Sequence, residues 1–177
     1  GVAYSRGLAN AKLGNLRQAI ADFSKALQYN QTHSWLYHHR ADAYRRSGAY
    51  ELALADCDRA IELAPQEPTF RVVRGRILAS AGRYSDAIRE YRAGLVLQPG
   101  ETFVLGANCR GYLALEEYDE AIEFSYQWMA DQPQSANPDR YRGHAYHLRG
   151  RYDEALRDYE LAYQLRPDDY RLYFHRG

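Results

Sequence analysis

YRGHAY at residues 141–146 and GRYDEA at residues 150–155 carry the pattern that predicts the architecture of this chain. Ala155, which ends the second segment, belongs to a column of alanines that recurs every 34 residues: Ala19, Ala53, Ala87, Ala121 and Ala155. Three further columns, of small residues, turn residues and prolines, keep the same step: Gly7, Ala41, Gly75, Cys109, Gly143 and Gly177; Gly14, Gly48, Gly82, Glu116 and Gly150; and Pro65, Pro99, Pro133 and Pro167. A fixed period of this length is typical of a solenoid of stacked units rather than of one closed core.

Together with Asp158, Tyr159, Ala162 and Pro167, these segments resemble the tetratricopeptide repeat family. The resemblance covers essentially the whole chain and implies an all-α, right-handed superhelical solenoid of antiparallel helix pairs. It implies one array of five complete repeats and the start of a sixth: residues 1–33, 34–67, 68–101, 102–135, 136–169 and 170–177. Because the chain starts inside one repeat and stops inside another, we expect it to be an excerpt of a longer protein.

Each repeat is predicted to hold two helices. In repeat two, we expect the first helix from Trp35 to Ser47, ended by Gly48, which tolerates the left-handed conformation. The second is expected from Tyr50 to Leu63, because Pro65 cannot continue a helix. Small residues at the facing positions of the two helices would let them approach closely.

Repeat four departs from the pattern most, because Trp128 takes the place of a small residue. One hypothesis makes Trp128 an exposed anchor for a partner. The other, which we favour, has repeats four and five meet at a changed angle around the larger ring.

Composition excludes several classes of protein. The chain has 23 basic and 23 acidic residues, so its net charge is 0, and this balance argues against nucleic-acid binding. No run approaches the roughly 20 apolar residues that cross a bilayer, and no membrane partner is expected. Cys57 and Cys109 lie two repeats apart, beyond disulfide reach. As buried free thiols they favour a reducing, intracellular location, which we expect to be the cytoplasm.

The family resemblance implies that the first helix of each repeat lines a concave surface. It places the second, fifth, sixth, ninth, twelfth and thirteenth residues of each repeat there, and we call these positions the stripe. We take the candidate partner-binding residues from that stripe: Trp35, His38, His39, Arg45, Arg76, Arg110, Arg140, Tyr141, His144 and Arg171. The whole stripe carries seven Lys or Arg and one acid, Asp42, so its charge is 7 − 1 = +6 while the chain as a whole is neutral. A wall of one charge attracts ligands of the opposite sign, and the interleaved aromatic rings suit an acidic peptide.

Two questions about this surface stay open at the level of sequence. Acidic residues of the second helices, such as Glu90 or Asp158, could neutralise the groove. If the groove histidines are solvated, acidification below about pH 6.5 would add positive charge and strengthen binding of an acidic partner.

Other activities are not expected. His38 with Asp42, and His144 with His147, offer only two metal ligands each, fewer than zinc requires. No catalytic motif or phosphate-binding loop is present, so we expect neither an enzyme nor a cofactor.

Some members of the family bind acidic chaperone tails through a carboxylate clamp of Lys, Asn and Arg. The matching positions here hold Tyr4, Leu8, His39, Thr69 and Val73, and moving the window by one or two repeats does not restore the clamp. The leading prediction is therefore a scaffold for a protein or peptide partner, acidic in character, that is not a chaperone tail of this type. The alternative is structural, with uncapped terminal repeats that self-associate end to end into homo-oligomers.

Overall fold

The structure, a computed structural model, describes residues 1–167, which form ten α-helices and no strand. The helices are α1 Val2–Leu13, α2 Leu16–Tyr29, α3 Ser34–Arg46, α4 Tyr50–Leu63, α5 Pro68–Ser80, α6 Tyr84–Leu97, α7 Thr102–Ala114, α8 Tyr118–Asp131, α9 Ala136–Leu148 and α10 Tyr152–Leu165. The chain divides into two compact units, Gly1–Gln98 with α1 to α6, and the part from Pro99 onward with α7 to α10.

Within each unit the helices pack as consecutive pairs, and we call the first helix of a pair the A helix and the second the B helix. The pairs are α1 with α2, α3 with α4 and α5 with α6 in the first unit, and α7 with α8 and α9 with α10 in the second. The predicted all-helical array of helix pairs is confirmed, and both helices of repeat two lie within one residue of their predicted bounds. The start of a sixth repeat, at 170–177, lies outside the described residues.

The turn between the two helices of a repeat depends on one left-handed residue. Gly48 has φ 82°, which lets the amide of Ala49 donate to the carbonyl of Tyr44 at 2.9 Å. In repeat four the same place is taken by Glu116 with φ 60°, a conformation that costs a residue with a Cβ about 1–2 kcal/mol.

The A and B helices of a pair meet through residues of matched size. Three pairs place a glycine of the A helix against an aromatic ring of the B helix: Gly7 and Phe23, Gly75 and Tyr91, Gly143 and Tyr159. In the other two pairs the B residue is smaller and the A residue larger: Ala41 with Cys57, and Cys109 with Ser125. Both cysteines are buried and free, as predicted, and burial raises the pKa of each thiol to about 12.

We expect Gly75→Ala to destabilise the protein. An added Cβ would lie 2.5 Å from Cε1 of the buried Tyr91 ring, and such overpacking costs about 1–3 kcal/mol, more than alanine gains in helix propensity. Urea unfolding of Gly75→Ala, Tyr91→Cys and the double variant measures the coupling. The double variant recreates the pairing of Ala41 with Cys57. We therefore expect its loss in free energy of unfolding to be at least about 0.5 kcal/mol smaller than the summed losses of the two single variants. Additive effects would contradict the size matching.

Ion pairs join the A and B helices at a second column with the same step. Arginines of four A helices bond carboxylates of their B helices: Arg6 to Asp22 at 2.5 Å, Arg40 to Asp56 at 2.7 Å, Arg74 to Glu90 at 3.1 Å and Arg142 to Asp158 at 2.5 Å. Repeat four holds Asn108 and Phe124 at these places. Glu90 and Asp158 thus pair with arginines that are not candidate site residues.

Trp128 is buried, with 1% of its surface exposed, so the hypothesis of an exposed anchor is wrong. Its ring lies 5.9 Å from that of Tyr141, and its indole nitrogen donates to Oε1 of Gln132 at 3.0 Å. The side-chain amide of Gln132 in turn donates to the carbonyl of Gly100 at 2.6 Å. Trp128 therefore belongs to the core of the second unit.

Candidate functional site

The A helices lie side by side within each unit and share one surface, which we call the A-helix face. In the first unit α3 contacts both α1 and α5, and in the second α7 contacts α9. Nine of the ten candidate residues lie on these helices: Trp35, His38, His39, Arg45 and Arg76 in the first unit, and Arg110, Arg140, Tyr141 and His144 in the second. The tenth, Arg171, lies outside the described residues.

In the first unit, the A-helix face carries a cluster of aromatic and imidazole rings. The Trp35 ring lies 5.0 Å from that of His38 and 5.1 Å from that of Phe70 on α5. The His38 and His39 rings are 4.9 Å apart, and His39 also stacks on Phe23 at 5.8 Å. Trp35 is the most open of the candidates here, with 38% of its surface exposed.

Burial in this cluster changes the titration of both histidines. Desolvation lowers the pKa of His38 to about 4, with a further contribution from His39, and it also lowers the pKa of His39. Both imidazoles are therefore neutral near pH 7. A gain of charge just below pH 6.5 is expected only for solvated histidines, and His38 and His39 do not meet that condition because neighbouring rings shield them from water.

The two candidate arginines of the first-unit face share one carboxylate. Asp42 Oδ1 lies 2.9 Å from Arg45 Nη2 on the same helix and 3.8 Å from Arg76 Nη2 on the next A helix. This one acid therefore compensates part of the positive charge that the sequence places here.

In the second unit, two arginines converge on one phenol ring. Arg110 Nη1 on α7 donates to the hydroxyl oxygen of Tyr141 at 2.6 Å. The guanidinium carbon of Arg140 lies 4.4 Å from the centre of the same ring, and its Nη2 donates to Oδ1 of Asn137 at 3.4 Å. Tyr141 is 6% exposed, so both arginine side chains contact a buried ring.

These side chains line a pocket of about 650 Å³ between α7 and α9. The described residues around it form a cationic end and an apolar end: Arg110, Leu113, Ala114, Arg140, Tyr141, His144 and Leu148. None of them carries a carboxylate. The pocket can accept an anionic group at the arginines and an apolar side chain at the leucines.

The apolar end was missed by the sequence reasoning, although the family stripe includes its positions. Leu113 and Leu148 occupy stripe places in repeats four and five, but the candidates were chosen for charge and aromatic character. Taking the apolar residues of the stripe as well would have found them.

Within residues 1–167, no group of three or more His, Cys, Asp or Glu side chains is placed to hold a metal ion. No helix of that part of the chain has the length and apolar character that a membrane span requires.

Two family models match this chain. One, described as TPR repeat, matches residues 143–177, and the other, described as tetratricopeptide repeat, matches residues 4–68 and 38–102.

Among curated proteins, DnaJ homolog subfamily C member 3 of Bos taurus is 24% identical over 91% of this chain and 35% of its own length. The Hsp70-Hsp90 organizing protein of Triticum aestivum is 25% identical over 97% of this chain and 30% of its own. The chain thus spans about a third of the length of these relatives.

Two solved structures show the same fold. The MamA protein has a TM-score of 0.78 at 18% identity, covering 93% of this chain and 90% of its own. YrrB, described as a TPR protein with an unusual peptide-binding site, has a TM-score of 0.74 at 17% identity, covering 98% and 89%. At these identities the likeness extends to the fold alone.

Proposed function

The chain belongs to the tetratricopeptide repeat family, and on that premise we propose that it is a non-catalytic scaffold that binds an acidic segment of a partner protein. The segment binds on the A-helix face of the second unit, in the pocket between α7 and α9. Arg110, Arg140 and Tyr141 hold its acidic group, and His144 lies beside them.

One observation carries this proposal. Arg110 and Arg140 both contact Tyr141, and no carboxylate lies among the described residues that line their pocket. Two guanidinium groups on a neutral ring attract an anionic ligand, and a hydrogen bond to such a charged group contributes about 1.5–3 kcal/mol. The apolar end formed by Leu113 and Leu148 adds a surface for a neighbouring side chain of the same segment.

The first-unit candidates form a separate contact surface of their own. Trp35 presents a half-open aromatic ring, and such rings are frequent anchors in interfaces. The charges of Arg45 and Arg76 are partly compensated, because Asp42 faces both.

Arg110→Gln and Arg140→Gln are each expected to weaken binding of acidic peptides by about tenfold or more, since each removes one charge-assisted contact. Fluorescence anisotropy with labelled degenerate peptides that carry a fixed central glutamate measures the effect. Raising the salt from about 50 to 300 mM should weaken binding to the unaltered protein, because salt screens exposed charges.

Arg157→Gln is the matched control. Arg157 is exposed on α10 in the same unit, so the variant makes the same change of charge on a B helix. It should bind within about twofold of the unaltered protein if local contacts and not net charge decide affinity. Equal losses in all three variants would argue against the pocket.

Several related predictions stay open. A cytoplasmic location and end-to-end assembly remain predictions from the sequence. A chaperone tail held by a carboxylate clamp is not proposed, because Tyr4, Leu8, His39, Thr69 and Val73 occupy the clamp positions.

A further inference from the structure

We propose that the anionic group taken by the pocket between α7 and α9 is a phosphomonoester, the phosphorylated side chain of a partner segment. This inference rests on the proposed function and specifies the ligand of the same pocket. It follows from the charge, the hydrogen-bond donors and the shape that the described residues provide there.

The two units differ in the charge of the group that their candidate arginines face. In the first unit, Arg45 and Arg76 both face the carboxylate of Asp42. In the second unit, Arg110 and Arg140 face the neutral phenol of Tyr141, and within residues 1–167 neither guanidinium has a carboxylate within 4.0 Å. Two cations that share a ring repel each other, so a ligand with two negative charges compensates them more fully than one with a single charge.

The available hydrogen-bond donors are a second feature of the pocket. Arg140 uses Nη2 on Asn137, which leaves its Nη1 donors available, and its buried Nε has no acceptor among the described residues. Arg110 uses Nη1 on Tyr141, which leaves most of its five N–H donors available. The Tyr141 hydroxyl accepts that bond with its oxygen, so its hydrogen remains to be donated. The pocket therefore offers donors from three side chains.

A phosphomonoester matches this set better than a carboxylate. It carries a charge of about −1.5 to −2 at pH 7 and three strong acceptor oxygens, whereas a carboxylate carries one charge and two oxygens. The planar guanidinium fork suits phosphate geometry. Leu113 and Leu148, at the other end of the pocket, would contact an apolar neighbour of the phosphorylated residue.

The test compares three otherwise identical sets of labelled degenerate nonapeptides, with phosphoserine, glutamate or serine fixed at the centre. By fluorescence anisotropy at pH 7.5, the phosphoserine set is expected to bind about tenfold more tightly than the glutamate set, and the serine set most weakly. Inorganic phosphate in excess should displace the phosphoserine set.

Variants test whether the preference for phosphoserine over glutamate arises in this pocket. Arg110→Gln and Arg140→Gln are expected to reduce the preference for phosphoserine over glutamate to about twofold or less, and Arg157→Gln to retain it. Arg110→Lys keeps the charge and removes the guanidinium fork, so it should lose part of the preference while it stays folded.

Each outcome has a distinct meaning. If glutamate and phosphoserine sets bind equally well and depend on Arg110, the phosphate inference is overturned and the acidic-partner function stands. If neither set binds, the proposed function itself fails. If phosphoserine is preferred equally in all variants, phosphate binds elsewhere and the assignment to this pocket is overturned.

Discussion

Arg142→Met is expected to lower the free energy of unfolding by about 3–5 kcal/mol, because it leaves two buried carboxylates without their cation. Arg142 Nη2 lies 2.5 Å from Asp158 and 3.0 Å from Asp139, and these side chains are only 6–7% exposed. The guanidinium also lies 4.4 Å from the centre of the Tyr126 ring. Urea unfolding at pH 7.5 measures the loss.

Arg151→Met provides the control, since Arg151 makes the same kinds of contact at the surface. It pairs with Glu154 at 2.5 Å and lies 4.6 Å from the centre of the Tyr146 ring, but its side chain is 48% exposed. Surface pairs of this kind contribute about 0–1 kcal/mol. If Arg142→Met costs no more than Arg151→Met, burial is not what makes the pair important.

Acidification is expected to destabilise the first unit through His38 by up to about 3 kcal/mol between pH 6.5 and 4. The folded protein lowers the pKa of His38 to about 4 from 6.5, so in this window the unfolded chain binds a proton that the folded protein does not. The stability that neutral His38 contributes is therefore present above pH 6.5 and is lost as the pH falls through 4. The lowered pKa of His38 already includes the contributions of the charged and titratable groups around it, which are His39, Asp42, Glu67 and Arg76.

The variant His38→Phe tests this, because a phenyl ring fits beside Trp35 and Phe70 and cannot take up a proton. Urea unfolding is measured at pH 7 and at pH 4.5. Between these two pH values, His38→Phe should lose less free energy of unfolding than the unaltered protein. His147→Phe, at an exposed position of α9, serves as the control. The account of the buried cluster is wrong if His38→Phe and the unaltered protein lose the same stability.

Much of the fold could be predicted from the sequence, because its determinants are local and repeated. Alanine at the position of Ala53 recurs in every repeat, and glycine at the position of Gly48 recurs in every repeat except repeat four. The alanine lets the two helices of a pair approach closely, and the glycine adopts the left-handed conformation of the turn. The Gly75 and Tyr91 match and the Arg142 and Asp158 pair also lie at a constant offset of 16 residues, so a comparison of columns across repeats could have found them.

The candidate site was predictable in part. The family stripe gave Arg110, Arg140 and Tyr141 as candidates, and the structure brings these three together around one ring. It did not give the contact of Asp42 with Arg76, because that ion pair joins neighbouring A helices. Nor did it give the burial of His38, which depends on rings from two helices.

The most direct test of the central claim is the location of bound acidic peptide by NMR. Amide and arginine side-chain resonances of the labelled protein are followed while the phosphoserine or glutamate peptide set is added. We predict the largest shifts at Arg110, Arg140, Tyr141 and His144, with smaller ones on the first-unit A-helix face. Shifts confined to the B helices, or to the first unit alone, would contradict the claim that the pocket between α7 and α9 is the partner site.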